Sequence, residues 1–292
     1  MPNRILAYRD AFGYRPLFFC EAKEGFFIAS EDIAFEMLDP VKIIEIQAGF
    51  GVEITSTDYE IKQFAPAQQE KKCVFEPIYF SSPASKVFGM NIYDTRIELG
   101  KLLRKNDDIN ADIVIPIPNS GFAAALGYSE KSGIPFQKGL LLEKNSGRSF
   151  ILPNQKSRVQ KVKEKLTAIK SVVKGKKIIL VDDSAVRGTT SKEVIKMLRN
   201  AGAKEIHFRL SSPMILNTCF WGVDIPTTEE LIANVHKTEK EIAQYLGADS
   251  VKYLSINDLK EFFGEIGWCY NCFMNTNCKT TARHAELVSV SH

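Results

Sequence analysis

The residues best suited to chemistry lie in Lys176–Thr190, KKIILVDDSAVRGTT, where two adjacent acids precede a short loop of small and hydroxylic residues around one glycine. Ile178, Ile179, Leu180 and Val181 read as a strand buried on both faces. Asp182 and Asp183 then stand at the carboxyl end of a strand, the edge at which α/β sheets gather ligand-binding loops. The spacing predicts a helix next, capped by Ser191 and running through Val194, Ile195, Met197, Leu198 and Ala201, with Gly202 as its C-cap. Unpaired N–H groups at a helix N-terminus, with threonine hydroxyls beside them, favour a phosphate dianion. Two carboxylates would repel that phosphate, so they are read as facing something else, such as ribose hydroxyls or a magnesium ion. The Gly-Lys-Ser/Thr ending of a Walker loop and the G-x-G-x-x-G turn are both absent. The competing reading is an ordinary strand–turn–helix with two solvated aspartates, which leaves the order of acids, glycine, hydroxyls and helix start unexplained.

A second stretch, Ala111–Gly121 (ADIVIPIPNSG), predicts a buried strand through Ile113, Val114, Ile115 and Ile117. Asn119-Ser120-Gly121 then makes a tight turn before a helix that starts near Phe122. A glycine there lets backbone approach a ligand closely, and successive N–H groups can form an anion nest. Gly133–Lys144 reads as a further strand, and Asn145–Lys170 is basic, with Lys144, Arg148, Lys156, Arg158, Lys161, Lys163 and Lys165 in or beside it. Such a run is either a solvated face or a mobile flap closing over a polyanion.

The remaining elements must position these two stretches. Residues 1–64 alternate short apolar runs (Ile5–Tyr8, Pro16–Cys20, Gly25–Ala29, Gly49–Thr55) with turn signals, which predicts a β-rich segment with one short helical piece near Asp32–Leu38. Residues 65–72 read as a polar connector, and Cys73–Phe80 as strand-like. Asn91–Leu103 carries Ile92, Ile97, Leu99, Leu102 and Leu103 at amphipathic helical spacing. Residues 226–263 read as mostly helical, and the end of the chain, from Lys279, shows little periodicity and reads as a disordered tail.

Composition limits the function classes. At 292 residues the chain can bury a substantial core, and a net charge of +3 (38 basic minus 35 acidic) gives no case for a nucleic-acid partner. No apolar run is long enough to span a membrane, and MPNRILAYRD lacks a signal peptide's apolar segment, so the expected compartment is cytoplasmic. Six cysteines (Cys20, Cys73, Cys219, Cys269, Cys272 and Cys278) in such a chain argue against a disulfide framework. Cys269-Tyr-Asn-Cys272 reads as metal or cluster ligation, because GEIGWCYNCFMN lacks the strand-then-helix setting of a thioredoxin-like pair. Cys20, inside an apolar strand, reads as a small core residue.

The acidic strand end followed by Gly-Thr-Thr closely resembles the phosphoribosyl pyrophosphate (PRPP) motif of phosphoribosyltransferases. YRDAFGYRPLFF with IASE at Ile28–Glu31 resembles the later part of a glutaminase domain of the N-terminal-nucleophile class. CVFEPIYFSSPAS, GRSFILPNQ, CFWG and the Asp224–Ala233 run resemble segments of amidophosphoribosyltransferases. The resemblance implies an α/β fold: a parallel-sheet phosphoribosyltransferase domain preceded by a partial β-rich glutaminase-like segment. It implies a glutaminase remnant at 1–64, an interdomain segment at 65–95, a phosphoribosyltransferase domain at 96–225 and a helical, cluster-binding segment at 226–278, before the tail at 279–292.

For the site, the resemblance implies that Asp182, Asp183, Ser184, Ala185, Val186, Arg187, Gly188, Thr189 and Thr190 hold the sugar phosphate, with Asn119, Ser120 and Gly121 on the pyrophosphate side. Lys144 and Arg148 would reach over from the flap, and Ser120, Asp182 and Asp183 would hold Mg2+. Asn119 stands where the family has an acid, keeping an acceptor oxygen but losing a charge. Cys73, Cys219, Cys269 and Cys272 fall where iron–sulfur members carry the ligands of a [4Fe–4S] cluster, and soft sulfur selects iron–sulfur or zinc over hard cations.

The expected reaction is formation of 5-phosphoribosylamine and pyrophosphate from PRPP and ammonia, the first step of de novo purine synthesis, by a homo-oligomer. Because the chain opens on Met1-Pro2-Asn3, no glutaminase nucleophile is expected, and ammonia is expected to replace glutamine unless a separate chain supplies the other glutaminase half. Two other readings share the PRPP motif: a nucleobase phosphoribosyltransferase and a non-catalytic PRPP-sensing regulator.

Overall fold

The protein is described by a computed structural model over residues 4–142 and 166–275. Residues 4–63 form two three-stranded antiparallel sheets. One is β1 (Arg4–Tyr8), β5 (Phe50–Thr55) and β6 (Tyr59–Gln63) in the order β1-β5-β6; the other is β2 (Phe18–Ala22), β3 (Gly25–Ala29) and β4 (Pro40–Glu45) in the order β3-β2-β4. Phe19, Ile46, Val52 and Ile54 form the core between them. Cys20 is fully buried in β2 facing Phe18 and Phe35, and burial raises its thiol pKa, as suits a small core residue. The short helical piece is a 3-10 turn at Asp32–Phe35.

The centre of the molecule is a four-stranded parallel sheet. β10 (Ile113–Pro116), β13 (Lys177–Asp182), β14 (Glu205–Leu210) and β15 (Ser250–Tyr253) lie in sequence order, with Ile115 opposite Leu180 and Leu180 opposite Phe208. The period of two in a strand sends alternate residues to opposite faces. Ile178 and Leu180 meet Val194, Ile195 and Leu198 on one face. Ile179 and Val181 meet Leu99, Leu103, Ala124 and Tyr128 on the other. Helices therefore cover both sides: α1 (Ile92–Lys105), preceded by the short hairpin β8 (Lys86–Val87) and β9 (Met90–Asn91), and α2 (Phe122–Ser132) on one, α3 (Lys170–Val173) and α4 (Thr189–Asn200) on the other.

Three sequence expectations need correction. Cys73–Phe80 is not a strand: only Lys71–Cys73 is extended (β7), and Glu76–Phe80 turns as a short π-helix, because Pro77 has no N–H for a ladder. Gly133–Lys144 yields only Leu140–Leu142 (β11), which pairs antiparallel with Leu166–Ala168 (β12) outside the main sheet. Residues 226–263 are mostly helical, as expected, with α5 (Ile232–Val235), α6 (Glu239–Leu246) and α7 (Ile256–Phe263), and between α6 and α7 they also supply β15, the edge strand of the parallel sheet. Helix α4 starts at Thr189 with Gly188 as N-cap, so Ser191 lies inside its first turn and is buried. Beyond α7, β16 (Gly267–Cys269) pairs in parallel with β7, bringing Cys269 beside Cys73.

Under the sheet, a buried ion pair ties β14 to the end of α1. The Arg209 guanidinium, 1% exposed, donates from Nε and Nη2 to the Asp107 carboxylate, which also accepts from the Tyr128 hydroxyl at 2.6 Å. Burial pushes the Asp107 carboxyl up, but the hydrogen bonds and charge of Arg209 and the Tyr128 hydroxyl outweigh it and hold the pKa below its ordinary value. A depressed carboxyl stabilises the fold above its unfolded pKa of about 3.9 and stops doing so as pH falls through the folded value. Urea titrations at stepped pH are therefore expected to show less loss of stability below about pH 5 in Asp107→Asn than in the unaltered chain. Arg209→Met, which strands the buried carboxylate, is expected to cost about 3–5 kcal/mol at neutral pH.

Candidate active site

A cleft of about 610 Å³ opens at the carboxyl end of the parallel sheet. Its floor is the strand end Asp182–Asp183, its far side the loop Ser184–Gly188 and the start of α4, and its near side Ile117, Pro118 and Ser120 after β10. Tyr79 and Phe80 form a wall, and Val223–Pro226 with Leu142 and Leu166 complete the rim. The two informative sequence stretches thus converge because β10 and β13 are neighbours in parallel register.

Both acids are buried, at 7% and 4% exposure. The Asp182 carboxylate accepts from the Ser120 hydroxyl at 2.7 Å and from the Asp183 N–H at 2.9 Å, and the Ser184 hydroxyl donates to Asp183 at 2.5 Å. Burial and the adjacent Asp183 charge push the Asp182 carboxyl well up, and burial raises Asp183 despite the hydroxyls and the nearby Arg96 charge. Two carboxylates desolvated side by side favour a proton or a cation between them. Oxygen donors from Asp182, Asp183 and Ser120 at the floor of the cleft suit a hard cation such as Mg2+. Carboxylates also accept well from sugar hydroxyls.

The phosphate end is built by backbone. Gly188 has a φ of +73°, a conformation that reverses the chain into α4, and a Cβ there would collide with Ile232. No side chain caps this helix, leaving its first-turn N–H groups to a ligand. Thr189 and Thr190 are exposed there and line the cleft. Ala185 is buried in the core and Val186 packs against the opposite one, so only their backbone can face a ligand. The Arg187 guanidinium is held by Glu230 at 2.5 Å. On the near side the Pro118–Asn119 peptide is cis, and Gly121 lets the turn sit against Val181 and Asp182, where a Cβ would meet the Val181 carbonyl oxygen. Asn119 is exposed and, like Gly121, is not among the residues lining the cleft. Lys144 and Arg148, with the basic run 145–165, lie outside the described residues.

Sequence reasoning missed Tyr79, Phe80, Asp224 and Arg96. Arg96 is 5% exposed and donates to the Pro77 carbonyl at 2.8 Å and the Ser81 carbonyl at 2.6 Å, which fixes the turn bearing Tyr79 and Phe80. Its signal is in the helix pattern: Ile92, Arg96, Leu99 and Leu103 share the buried face of α1, and a charge on that stripe needs buried partners.

Away from the cleft floor, Cys73, Cys219, Cys269 and Cys272 all line one small enclosed cavity with Tyr14, Phe75, Phe220 and Trp221. Burial pushes Cys73 up to about 12. Burial and the neighbouring Cys73, Cys269 and Cys219 raise Cys272 well above its ordinary value. The Trp221 backbone N–H donates to the Cys219 sulfur at 3.2 Å. Among the described residues no group of three or more His, Cys, Asp or Glu side chains is placed to hold a metal ion. Converging soft sulfur donors in an apolar pocket nonetheless fit the chemistry of a thiolate-bound group.

Residues 90–211 match the phosphoribosyl transferase domain family. The chain is 42% identical over 288 residues to the amidophosphoribosyltransferase of Methanocaldococcus jannaschii, covering 92% of this chain and 60% of that protein. It is 41% identical to the chloroplastic amidophosphoribosyltransferase 1 of Arabidopsis thaliana, covering 93% of this chain and 48% of the relative. A solved glutamine PRPP amidotransferase from B. subtilis, complexed with ADP and GMP, superposes with a TM-score of 0.82 at 38% identity, covering 94% of this chain and 62% of that one. Among the described residues no helix is long and apolar enough to cross a membrane. The chain spans about half to three-fifths of the length of the curated relatives it matches, and along nearly all of its own length it is similar to amidophosphoribosyltransferases.

Proposed function

We propose that this chain carries the phosphoribosyl-transfer site of an amidophosphoribosyltransferase, making 5-phosphoribosylamine and pyrophosphate from PRPP and ammonia at the entry to purine nucleotide synthesis. The observation that carries this is the pair Asp182–Asp183, buried at a strand's carboxyl end in one cleft with an uncapped helix N-terminus. One end of the cleft suits an anion and the other a cation or a ribose, which is the charge layout of a sugar phosphate. The similarity to amidophosphoribosyltransferases over 92–94% of the chain supports the same reading.

The first-turn amides of α4 with Thr189 and Thr190 take the 5-phosphate. Asp182 and Asp183 accept from the ribose hydroxyls and, with Ser120, would hold Mg2+, which neutralises charge on the departing pyrophosphate. The turn at Ser120 orients that group. Ammonia attacks C1 as the C1–oxygen bond breaks; the nitrogen then gives a proton to solvent, and the pyrophosphate leaves with the bonding pair. No covalent nucleophile is needed, because positioning and electrostatic stabilisation supply the rate. A nucleobase in place of ammonia is the alternative acceptor, separated by offering purine and pyrimidine bases in the same assay.

In the cysteine-lined cavity, Cys73, Cys219, Cys269 and Cys272 would hold a [4Fe–4S] cluster in a structural or oxygen-sensing role. Support comes from their convergence from three separate parts of the chain on one apolar pocket. A cluster places its own bulk between the four sulfurs, so the ligands need not close round a single ion.

Pyrophosphate release from PRPP and Mg2+ with ammonia is expected for the unaltered chain, falling at least about 100-fold in Asp182→Asn and Asp183→Asn. The raised carboxyls give a second outcome. Folding with both acids ionised is costly, so stability falls as pH rises above the usual carboxylate range. In metal-free buffer at pH 7.5, Asp182→Asn is expected to melt higher than the unaltered chain, by about 2–4 °C for each kcal/mol relieved. Added Mg2+ should raise the melting temperature of the unaltered chain only. Anaerobically purified protein is expected to hold about four iron and four sulfide per chain, lost in Cys269→Ser.

A further inference from the structure

The turn Glu76–Phe80 brings a buried carboxylate and two aromatic rings to one place, and charged groups from three directions hold it. Glu76 is 3% exposed. Its carboxylate pairs with Arg15 Nε at 3.0 Å and accepts from the Ser81 hydroxyl at 3.1 Å. Arg15 comes from the β-rich segment, just before β2, and its guanidinium also lies over the Phe80 ring, 4.9 Å from the centroid. From the opposite side Arg96 of α1 binds the carbonyls of Pro77 and Ser81. Glu31 accepts from the Ser82 N–H and the Ser85 hydroxyl, each at 2.6 Å, just after the turn. Tyr79 and Phe80, 48% and 37% exposed, are thereby fixed as the cleft wall facing Asp182 and Asp183.

A buried carboxylate is costly to keep, and burial raises the Glu76 pKa even beside Arg15. A turn needed only to connect two segments could be held by apolar packing. Here the charges come from the β-rich segment and from α1, while the rings they fix face the substrate cleft. We infer that Arg15, Glu76 and Arg96 are positioning residues for the transfer site: they set the Tyr79–Phe80 wall, and through Arg15 the β-rich segment acts on the cleft. This rests on the PRPP reading of that cleft, since the wall matters to turnover only if the substrate lies against it.

The test uses the whole chain. Arg15→Met, Glu76→Gln and the double variant are assayed for pyrophosphate release with PRPP, Mg2+ and ammonia, with thermal melts and calorimetric PRPP binding alongside. Arg15→Met keeps the unbranched apolar stem of a partly exposed side chain, so it remains folded if Glu76→Gln does not. The expected result is a loss of about tenfold or more in kcat/KM for PRPP in each folded single variant, with a melt that still shows one cooperative transition. The double variant is expected to be little worse than either single one, because both break one pair. Arg15→Lys, which keeps the charge, is expected to recover part of the loss. Folded single variants with unaltered kcat and KM for PRPP would overturn the inference while leaving the PRPP reading in place. An unaltered chain that neither binds nor turns over PRPP would overturn the reading, and the inference with it.

Discussion

Two like charges held side by side out of water are the constraint on which this structure turns. Asp182 and Asp183 sit where a central parallel strand ends, with helices covering both faces behind them. Alone, such a pair is unfavourable, and the Ser120 and Ser184 hydroxyls offset only part of the cost. The site is therefore stored as electrostatic tension that a cation and a polyhydroxyl ligand relieve. Everything around it supports that arrangement: apolar strands that fix the acids in place, a glycine turn that brings Ser120 within 2.7 Å, and a helix N-terminus left uncapped.

The strands at Ile113–Pro116 and Lys177–Asp182 were legible as continuous apolar runs, the helix at Ile92–Lys105 by its amphipathic spacing, and the helix at Phe122–Ser132 by the turn that precedes it. The start of α4 was not. Ser191 looks like a cap by residue type, but Gly188 turns the chain through positive φ three residues earlier, and that freedom leaves no mark beyond the glycine itself. Glu76–Phe80 misread as a strand because its composition is strand-like, whereas Pro77 and the buried Glu76 decide its shape through long-range partners. Strand β4 escaped notice because its side chains are largely exposed and Lys42 interrupts the apolar run.

Of the candidate site, the acids and the phosphate loop were legible as a contiguous motif, while the aromatic wall and Arg96 were not. Those residues are far from the acids in sequence, and only the packing of α1 and the 76–81 turn brings them to the cleft. Asn119, adjacent to Ser120 in the chain, is exposed and does not line the cleft that Ser120 lines. Neighbours in a tight turn face different ways, and sequence proximity cannot say which one the site uses.

The parallel pairing of Lys71–Cys73 with Gly267–Cys269 joins residues almost two hundred positions apart. Such a contact closes a very long loop, and the entropy lost in closing it is an added cost of the pairing. On a ribosome β7 is made well before β16, the strand it pairs with. The cysteine cavity is lined from both ends of that loop, so it cannot close until residues almost two hundred positions apart are both in place.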